Sequence, residues 1–311
     1  MRYVITGGAG FIGSNIANRL VKEGHDVVII DNLSTGKEEN FEEIKDSIMF
    51  YKGDITDQDL LAKAFKGADF VLHQAALASV PRSVKDPLTS NTNNVCGTLK
   101  VLIAARDAGV KRVVYAASSS AYGDTETLPK IETMQINPKS PYALQKVTGE
   151  FYCRQFYELY GLDTVCLRYF NIFGPKQDPD SEYSAVIPKF IKLMLADKTP
   201  VIYGDGTQSR DFTYVDNVVE ANLLACKSKG PLKGEAINIG CGERFTLFDL
   251  FEMINRILKK DMKPKLAETR AGDVAHSLAD IEKAKRLIGF TPLVDFREGL
   301  KRTTEWYKNG N

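Results

Sequence analysis

A tyrosine and a lysine four residues apart are the strongest candidates for acid–base chemistry in this sequence. Tyr142 and Lys146 lie in the segment Ser-Pro-Tyr-Ala-Leu-Gln-Lys that begins at Ser140. Ser140 followed by Pro141 is typical of a helix N-cap and first helical position, so Tyr142 and Lys146 would share one helix face. A nearby ammonium favours the phenolate, and we therefore expect the pKa of Tyr142 to be lowered towards neutrality. The alternative is an exposed amphipathic pair, because the spacing alone is common.

A glycine-rich turn near the N-terminus is the second candidate site. Gly7, Gly10 and Gly13 follow the apolar run Tyr3–Ile5 with the spacing G-x-x-G-x-x-G. Residues without a Cβ allow a tight bend here, the close approach of a pyrophosphate, and the packing of a helix on a strand. The helix N-terminus then offers free N–H groups to a phosphate. A tight turn without a ligand is the alternative, but the position between a strand and an amphipathic helix favours a dinucleotide site.

Acidic residues after the next two apolar runs could complete this site. Asp31 ends the second run, 18 residues beyond Gly13, where a carboxylate can accept hydrogen bonds from an adenosine ribose. The same charge would repel a 2′-phosphate, and no arginine follows in Asn32-Leu33, so we predict NAD rather than NADP. Asp54, after the third run, could reach the adenine or could cap a helix, and the sequence leaves both open.

A serine cluster follows the fifth apolar run, Val113–Tyr115. Ser118, Ser119 and Ser120 stand where the carboxyl end of a parallel strand would line a ligand crevice. A polar loop is the alternative for three serines. The order of glycine turn, strand with serines, and Tyr-x-x-x-Lys favours a catalytic role.

Short apolar runs alternate with helical segments through the first 120 residues. The predicted strands are Tyr3–Ile5, Val27–Ile30, Met49–Tyr51, Phe70–Leu72 and Val113–Tyr115, and the predicted helices include Phe11–Glu23, Gln58–Ala64 and Asn93–Ala108. This alternation predicts an α/β fold, a doubly wound parallel sheet of Rossmann type. From about Asn171, prolines and glycine-rich turns interrupt shorter elements, which indicates a smaller second lobe.

The composition is that of an ordinary globular protein. The chain has 311 residues, a formal net charge of +1 and a pI of about 7.6, so nothing indicates a nucleic acid or a membrane as partner. Five scattered cysteines and three histidines do not show metal-site spacing, and we predict no metal. No run reaches the roughly 18 apolar residues that a membrane-spanning helix needs. We expect a cytoplasmic protein.

Taken together, these segments resemble the extended short-chain dehydrogenases/reductases that modify nucleotide sugars. The resemblance covers essentially the whole chain and includes Asn94–Thr98, Leu167–Asn171, Arg210–Phe212 and Arg270–Asp273. It implies that Tyr142 is the base and that Lys146 binds the nicotinamide ribose and tunes Tyr142. It also implies that Ser118 hydrogen-bonds the reacting hydroxyl, with Ser119 and Ser120 as alternatives.

The same resemblance implies two binding sites and two domains. The expected NAD contacts are Gly7, Gly10, Phe11, Ile12, Gly13, Asp31, Asn32, Ser34, Gly36, Asp54, Ile55, Gln74, Ala75, Ala76, Asn94, Ala116, Tyr142, Lys146, Tyr169 and Phe170. The expected substrate contacts are Ser79, Arg82, Ser118, Ser119, Ser120, Asn171, Ala185, Val186, Tyr203, Arg210, Arg270, Asp273 and Ser277. Residues 1–170 would form the NAD-binding Rossmann domain, to which about 210–238 return, and residues 171–209 and 239–311 would form the nucleotide-sugar lobe.

The residues immediately after the catalytic serine indicate the family member. Related dehydratases and decarboxylases carry an acid there, whereas this chain has Ser119-Ser120-Ala121. The resemblance therefore implies a 4-epimerase: Tyr142 takes the 4-hydroxyl proton, tightly held NAD accepts the hydride, and the 4-keto sugar turns over before hydride returns to its other face.

Substrate size is predicted from Ser277. UDP-galactose 4-epimerases restricted to glucose and galactose resemble one another in a bulky tyrosine at the matching position, and a serine leaves room for an acetamido group. Together with Ser79–Ser83 and Ala185, this predicts UDP-N-acetylglucosamine and UDP-N-acetylgalactosamine as preferred substrates, with UDP-glucose and UDP-galactose weaker. The alternatives are a UDP-glucuronate or other nucleotide-sugar 4-epimerase, and a non-catalytic NAD-sensing regulator. A homodimer through Asn93–Ala108 and Tyr142–Tyr160 is implied by the resemblance.

Overall fold

Parallel β-strands form the centre of the molecule. A computed structural model describes residues 1–180, 185–268 and 275–310. The strands are β1 Arg2–Thr6, β2 Asp26–Asp31, β3 Ile48–Lys52, β4 Phe70–His73, β5 Arg112–Ser118, β6 Thr164–Tyr169, β7 Ile172–Phe173, β8 Val201–Tyr203, β9 Ser209–Arg210, β10 Thr213–Tyr214, β11 Glu235–Ile239, β12 Phe245–Thr246 and β13 Lys265–Ala267. Seven of them pair in parallel in the order β11-β6-β5-β4-β1-β2-β3, which confirms the predicted doubly wound sheet.

Helices cover both faces of this sheet. They are α1 Phe11–Lys22, α2 Gln58–Phe65, α3 Val80–Lys85, α4 Pro87–Asn91, α5 Thr98–Asp107, α6 Pro141–Tyr160, α7 Val186–Leu195, α8 Val215–Lys227, α9 Leu247–Leu258, α10 Glu282–Ile288 and α11 Phe296–Lys308. Successive β1 residues are buried on opposite faces, Tyr3 and Ile5 with α1 and α8, and Val4 with α2, α5 and α6. A strand buried on both faces has to be apolar throughout, and this is why its sequence shows a continuous apolar run. None of the helices in the described ranges is both long and apolar enough to cross a membrane.

The segment predicted as one helix over Asn93–Ala108 has two parts. A π-helical turn over Thr92–Gly97 precedes α5. The wider turn accompanies the Asn94 side chain, whose oxygen accepts from the Leu77 N–H at 2.8 Å, and the Thr98 hydroxyl, which donates to the Asn94 carbonyl at 2.7 Å. These side chain–backbone bonds compete with regular helix geometry, and apolar periodicity contains no sign of them.

A smaller group of elements follows β6. The two-stranded pairs β7/β10, β9/β12 and β8/β13 join α7, α9 and α11, whose aromatic side chains Phe190, Phe251 and Phe296 are buried. In contrast, β11 pairs with β6 and α8 packs beside α1, so both belong to the large sheet's layers. The division into a cofactor domain and a nucleotide-sugar lobe stays a prediction.

A buried ion pair fixes α6 on the sheet. Glu150 of α6 accepts two hydrogen bonds from the Arg168 guanidinium on β6, at 2.9 and 2.7 Å. The Arg168 guanidinium also lies 4.9 Å from the centre of the Tyr122 ring. Because Glu150 is one turn beyond Lys146, this pair sets the rotation of the helix that carries Tyr142 and Lys146.

Candidate active site

The glycine turn between β1 and α1 forms a cradle at the carboxyl edge of the sheet. Gly7 has a φ of +71°, and a Cβ placed on it would lie 2.6 Å from the Ala75 nitrogen. A Cβ on Gly13 would lie 2.2 Å from the Gly7 carbonyl oxygen. Gly10, the N-cap of α1, has no side chain that could cap the helix, and the first turn carries no acid. The first N–H groups of α1 are therefore left for an anion, and the cradle fits a dinucleotide pyrophosphate.

Asp31 lies beside this cradle at the end of β2. One carboxylate oxygen accepts from the Ala9 N–H at 3.0 Å and the other from the Leu33 N–H at 2.8 Å. Burial raises the pKa of Asp31, while these two bonds lower it in part. Each oxygen keeps a further acceptor position, which ribose hydroxyls could fill.

One cleft runs from the glycine turn to the start of α6, and we call it the NAD cleft. The predicted cofactor residues that line it are Gly7, Gly10, Phe11, Ile12, Gly13, Asp31, Asn32, Ser34, Ile55, Gln74, Ala75, Ala76, Ala116, Tyr142, Lys146 and Tyr169. The lining residues that the sequence did not indicate are Ile30, Thr35, Gly53, Leu77, Ala78, Asn93 and Ala117. Most of these residues are small or apolar, so their residue types alone do not indicate contact with a cofactor.

Four predicted cofactor residues have other surroundings. Asp54 accepts from Thr56 and from the Asn32 amide at 2.7 Å, and α2 is capped by Asp57 rather than by Asp54. Gly36 packs on the glycine turn, where a Cβ would lie 2.9 Å from the Ala9 carbonyl carbon. Asn94 is buried and bonded to Leu77 and to the Gln145 amide, and Phe170 is fully buried. Contact of these four with NAD stays a prediction.

The Lys146 ammonium is hydrogen-bonded to the carboxyl end of β5. Its Nζ donates to the Ala116 carbonyl at 2.8 Å and lies 4.9 Å from the centre of the Tyr115 ring. Burial lowers the pKa of Lys146 to about 8, although the neighbouring Glu150 raises it in part.

The predicted lowering of the Tyr142 pKa is wrong when only the protein's own side chains act on the phenol. Burial raises the pKa of Tyr142 to about 12, and only a hydrogen bond with Ser118 opposes this. Desolvation exceeds the influence of an ammonium that is bonded elsewhere. A positive charge or a further donor in the NAD cleft is therefore needed to make the phenolate near neutral pH.

Among the three serines, Ser118 is the one at Tyr142. Its oxygen accepts from the Ser120 N–H at 3.2 Å and from the Ser120 hydroxyl at 2.8 Å. The proton of Ser118 is then available to the Tyr142 oxygen, consistent with its lowering effect on the Tyr142 pKa. Ser119 and Ser120 begin a single 3-10 turn beyond β5.

The predicted N-cap Ser140 and two residues outside the predicted site, Ser83 and Gln145, hold the start of α6 in place. Ser140 caps the helix through the Ala143 N–H, and the buried Ser83 hydroxyl accepts from the Tyr142 N–H at 3.0 Å. The Gln145 amide oxygen accepts from Asn94 at 2.9 Å and from Ser90 at 2.8 Å. Gln145 faces inward because it lies three residues after Tyr142, and only its position relative to Tyr142 could have indicated this.

His73, at the end of β4, supports the floor of the NAD cleft. Its ring nitrogens lie 2.7 Å from the Thr6 hydroxyl and 3.0 Å from the Thr98 hydroxyl. Burial, with the nearby Lys146 charge, lowers the pKa of His73 to about 3, so the ring is neutral. A neutral ring can accept at one nitrogen and donate at the other, and it thereby links β1 to α5.

A second cavity lies beyond β6, and we call it the nucleotide cavity. It is lined by Asn171, Ile172, Phe173, Ala185, Val186, Ile187, Phe190, Val201, Tyr203, Gln208, Arg210, Phe212 and Leu247. Five predicted substrate residues therefore meet in one cavity: Asn171, Ala185, Val186, Tyr203 and Arg210. The segment Tyr169–Asn171 joins it to the NAD cleft, because Tyr169 lines the cleft and Asn171 lines the cavity.

Ser277 is not a lining residue of this cavity, but it is hydrogen-bonded to one, Asn171. The Asn171 amide donates to the Ser277 hydroxyl at 2.9 Å and to the Asp211 carbonyl at 3.0 Å. The Ser277 and Asp211 backbones are themselves hydrogen-bonded at 2.9 Å. Ser277, predicted to lie at the sugar, is thus in direct contact with Asn171, which lines the cavity. The predicted Arg270 and Asp273 lie outside the described residues.

The buried carboxylate of Asp211 holds the backbone near Ser277 together. It accepts from the backbone N–H groups of Cys241, Gly242 and Ala279 at 2.8, 3.0 and 3.1 Å. Burial raises the pKa of Asp211 to about 6 against these three bonds. In the sequence Asp211 is visible only as part of a family segment, and nothing there indicates this structural role.

Ser79 and Arg82 lie at the first turn of α3. Ser79 caps α3 by accepting from the Arg82 N–H at 3.1 Å, and α3 packs against α6. Their contact with a substrate stays a prediction.

The glycine turn and the parallel sheet define a dinucleotide-binding fold, and a tyrosine, Tyr142, lines the end of its cleft. Comparisons with known proteins identify its family. The family model described as "NAD dependent epimerase/dehydratase family" matches residues 3–240. The chain belongs to this family, which confirms the resemblance seen in the sequence and NAD as the cofactor.

Individual relatives cover nearly the whole chain. The structure of a UDP-N-acetylglucosamine 4-epimerase from Methanobrevibacter ruminantium M1, in complex with UDP-N-acetylmuramic acid, is 45% identical with a TM-score of 0.95, covering 100% of this chain and 99% of that chain. A UDP-glucose 4-epimerase of Mycolicibacterium smegmatis is 40% identical over 314 residues, 99% of each chain. A mutant UDP-glucuronic acid 4-epimerase of Bacillus cereus, solved with UDP-4-deoxy-4-fluoro-glucuronic acid and NAD, is 32% identical with a TM-score of 0.92, covering 100% of both chains.

Asp31 gives a testable prediction about the cofactor. Replacing Asp31→Asn removes the charge that would repel a 2′-phosphate, so the ratio of the dissociation constants for NADP and NAD should fall at least about tenfold, the scale of one close charge interaction. Calorimetric titration of both cofactors measures this ratio. General damage to the loop would weaken the binding of NAD and NADP alike and would leave the ratio of their dissociation constants unchanged. Asp26→Asn, at the exposed start of the same strand, is the matched control.

Proposed function

We propose that the protein is an NAD-dependent UDP-hexose 4-epimerase that prefers UDP-N-acetylglucosamine and UDP-N-acetylgalactosamine. UDP-glucose and UDP-galactose are weaker substrates in this proposal. The observation that supports it most is the end of the NAD cleft, where Tyr142 meets Ser118 and the adjoining residues Ser119–Ala121 contain no acid. Five free cysteines accord with a cytoplasmic location.

The chain's own residues move one proton. When bound, NAD supplies a reversible hydride acceptor and a positive ring. The Tyr142 oxygen takes the proton of the sugar 4-hydroxyl, and it returns the proton after the 4-keto sugar has turned over. Ser118 donates to the same oxygen and stabilises its charged form. With no second acid adjoining Ser118, elimination and decarboxylation lack the group they need, and oxidation followed by reduction at C4 remains.

Lys146 acts by charge and position. Its ammonium donates to the Ala116 carbonyl at the floor of the cleft, so it is held in place before any substrate enters. Because burial lowers its pKa to about 8, a fraction of Lys146 loses its charge above neutral pH. A reaction that needs the ammonium should therefore lose rate as the pH rises through that value.

Substrate preference follows from the position of Ser277. The side chain there is small and already bonded to Asn171, which lines the nucleotide cavity. A small residue leaves volume for a 2-acetamido group next to the sugar ring. A bulky residue at the same position would occupy that volume.

The reaction itself is the first test. Purified protein with NAD and UDP-N-acetylglucosamine should produce UDP-N-acetylgalactosamine, followed by the anomeric proton signals in NMR. Tyr142→Phe should lower kcat at least about 100-fold, the usual contribution of a general acid–base. Tyr157→Phe on the same helix is the control. An unchanged single sugar in the wild-type reaction would favour a non-catalytic NAD sensor, and turnover of UDP-glucuronate in preference to both acetylated sugars would favour a UDP-glucuronate 4-epimerase.

Ser277→Tyr tests the preference for acetylated sugars. We expect kcat/KM for UDP-N-acetylgalactosamine to fall at least about tenfold more than kcat/KM for UDP-galactose, because steric exclusion acts on the acetamido group alone. Ser277→Ala removes the hydrogen bond to Asn171 without adding bulk and should change both substrates alike. The idea fails if the wild type turns over UDP-galactose far faster than UDP-N-acetylgalactosamine.

A homodimer is part of the proposal. Leu144, Phe151 and Leu159 are exposed at spacings of seven and eight residues, so they form one apolar stripe along α6. Val84 on α3 and Leu88 on α4 are 63% and 76% exposed on helices that pack against α6. Apolar surface of this kind is typical of an interface, and a second copy of the chain could cover it.

Phe151→Glu tests this interface. A charge in the stripe should shift the protein from dimer to monomer in sedimentation at micromolar concentration, because a buried unpaired carboxylate is unfavourable. Leu293→Glu is the control, because Leu293 is exposed and its backbone is hydrogen-bonded to Asn217 of α8, on the opposite face of the sheet from α6. A wild-type protein that sediments as a monomer would contradict the proposal.

A further inference from the structure

The nucleotide cavity contains an amide whose oxygen is unused. We propose that Gln208 recognises the base of the substrate by accepting a hydrogen bond from the ring N3–H of uracil. This inference rests on the proposed function, since it takes the cavity to hold a nucleoside diphosphate. It names the chemical feature that the cavity selects, an imide N–H on a pyrimidine.

The Gln208 oxygen is buried without a partner. Gln208 lines the nucleotide cavity, and its Oε1 is inaccessible to solvent and has no hydrogen-bond partner among the residues that the structure describes. Most buried polar side-chain atoms are hydrogen-bonded, because leaving one unpaired is unfavourable. An unpaired acceptor beside a cavity is therefore expected to meet a donor on the ligand.

The orientation of the amide is fixed by its neighbour. The Gln208 Nε2 donates to the Tyr203 carbonyl at 2.5 Å. A carbonyl only accepts, so the nitrogen has to face Tyr203 and the oxygen has to be the unpaired atom. Rotating the amide would place two oxygens against each other.

The surroundings of Gln208 suit a base rather than a phosphate or a sugar. Phe190, Phe212 and Leu247 give the cavity apolar walls, against which a flat ring can pack. An amide oxygen cannot donate to phosphate oxygens, whereas Arg210 can. The polar pair of Asn171 and Ser277 is the one assigned to the sugar above.

Uracil fits the unpaired acceptor because its N3 carries a hydrogen. At that position cytosine presents a lone pair, which would face the Gln208 oxygen without a hydrogen between them. A buried hydrogen-bonding group rejects an analogue that lacks the matching hydrogen strongly, because its own partner is then left unpaired. Gln208 would thus be a specificity-determining residue that touches the substrate.

The test measures binding of UDP and N3-methyl-UDP to the NAD-loaded protein by calorimetry. In the wild type UDP should bind more tightly than N3-methyl-UDP. In Gln208→Met, which keeps the length of the side chain and removes the amide, this ratio should shrink at least about tenfold, the usual scale of one buried hydrogen bond. The bulk of the methyl group affects both proteins, so the change in the ratio isolates the bond between Gln208 and N3–H.

Gln177→Met is the matched control. Gln177 also has a buried, unpaired Oε1 among the described residues, but it lies in a different cavity near Lys176 and Trp306. The Gln177→Met variant should keep the ratio of the dissociation constants of N3-methyl-UDP and UDP within about twofold of the wild-type ratio. For Gln208→Met the KM for the UDP-sugar should rise while kcat is retained, which a general loss of structure would not produce.

Two outcomes overturn the inference and are distinguishable. UDP binding with a ratio that Gln208→Met leaves unchanged would contradict the role of Gln208 and leave the proposed function intact. Absence of UDP binding to the wild-type protein would contradict the proposed function and this inference together.

Discussion

The burial of Lys146 and the partial burial of Tyr142, in the first two turns of α6, are the constraint on which the site depends. The helix is held there by contacts from three directions: Ser83 on α3 bonds the Tyr142 N–H, Gln145 bonds Asn94 before α5, and Glu150 pairs with Arg168 on β6. Each contact reaches a different element of the large sheet or its helices. A side chain placed by so many elements loses little freedom when a substrate arrives, and this favours catalysis by positioning.

Burial also sets the electrostatics of the pair. It raises the pKa of Tyr142 to about 12 and lowers the pKa of Lys146 to about 8, so both groups are shifted towards their neutral forms. Without a cofactor, Tyr142 is therefore protonated at neutral pH. The positive ring of bound NAD would favour the phenolate, and the base would form only in the complex that can also accept a hydride. In the proposed reaction, such coupling would confine proton transfer to the complex that can also transfer a hydride.

Local patterns predicted much of this site. The glycine turn, Asp31 and the Tyr142–Lys146 pair are each visible because turn, strand end and helix face impose short-range spacing. The resemblance added Asn171, Ala185, Val186, Tyr203 and Arg210, which meet in one cavity. Ser83, Gln145 and the structural role of Asp211 were missed because their partners are distant in the chain. The direction of the Tyr142 pKa shift was wrong because it depends on desolvation and on where the Lys146 ammonium donates, and spacing determines neither.

The titration of Tyr142 itself tests most directly whether its phenolate forms only when NAD is bound. The ultraviolet absorbance of tyrosinate is measured against pH for the wild type and Tyr142→Phe, with NAD removed and with NAD bound, and the difference between the two proteins isolates this residue. We expect no ionisation of Tyr142 below about pH 10 without NAD, since burial raises its pKa to about 12. With NAD bound, we expect ionisation at least about two pH units lower. Ionisation near neutral pH in the protein without NAD, or the same midpoint in both forms, would contradict this dependence on NAD.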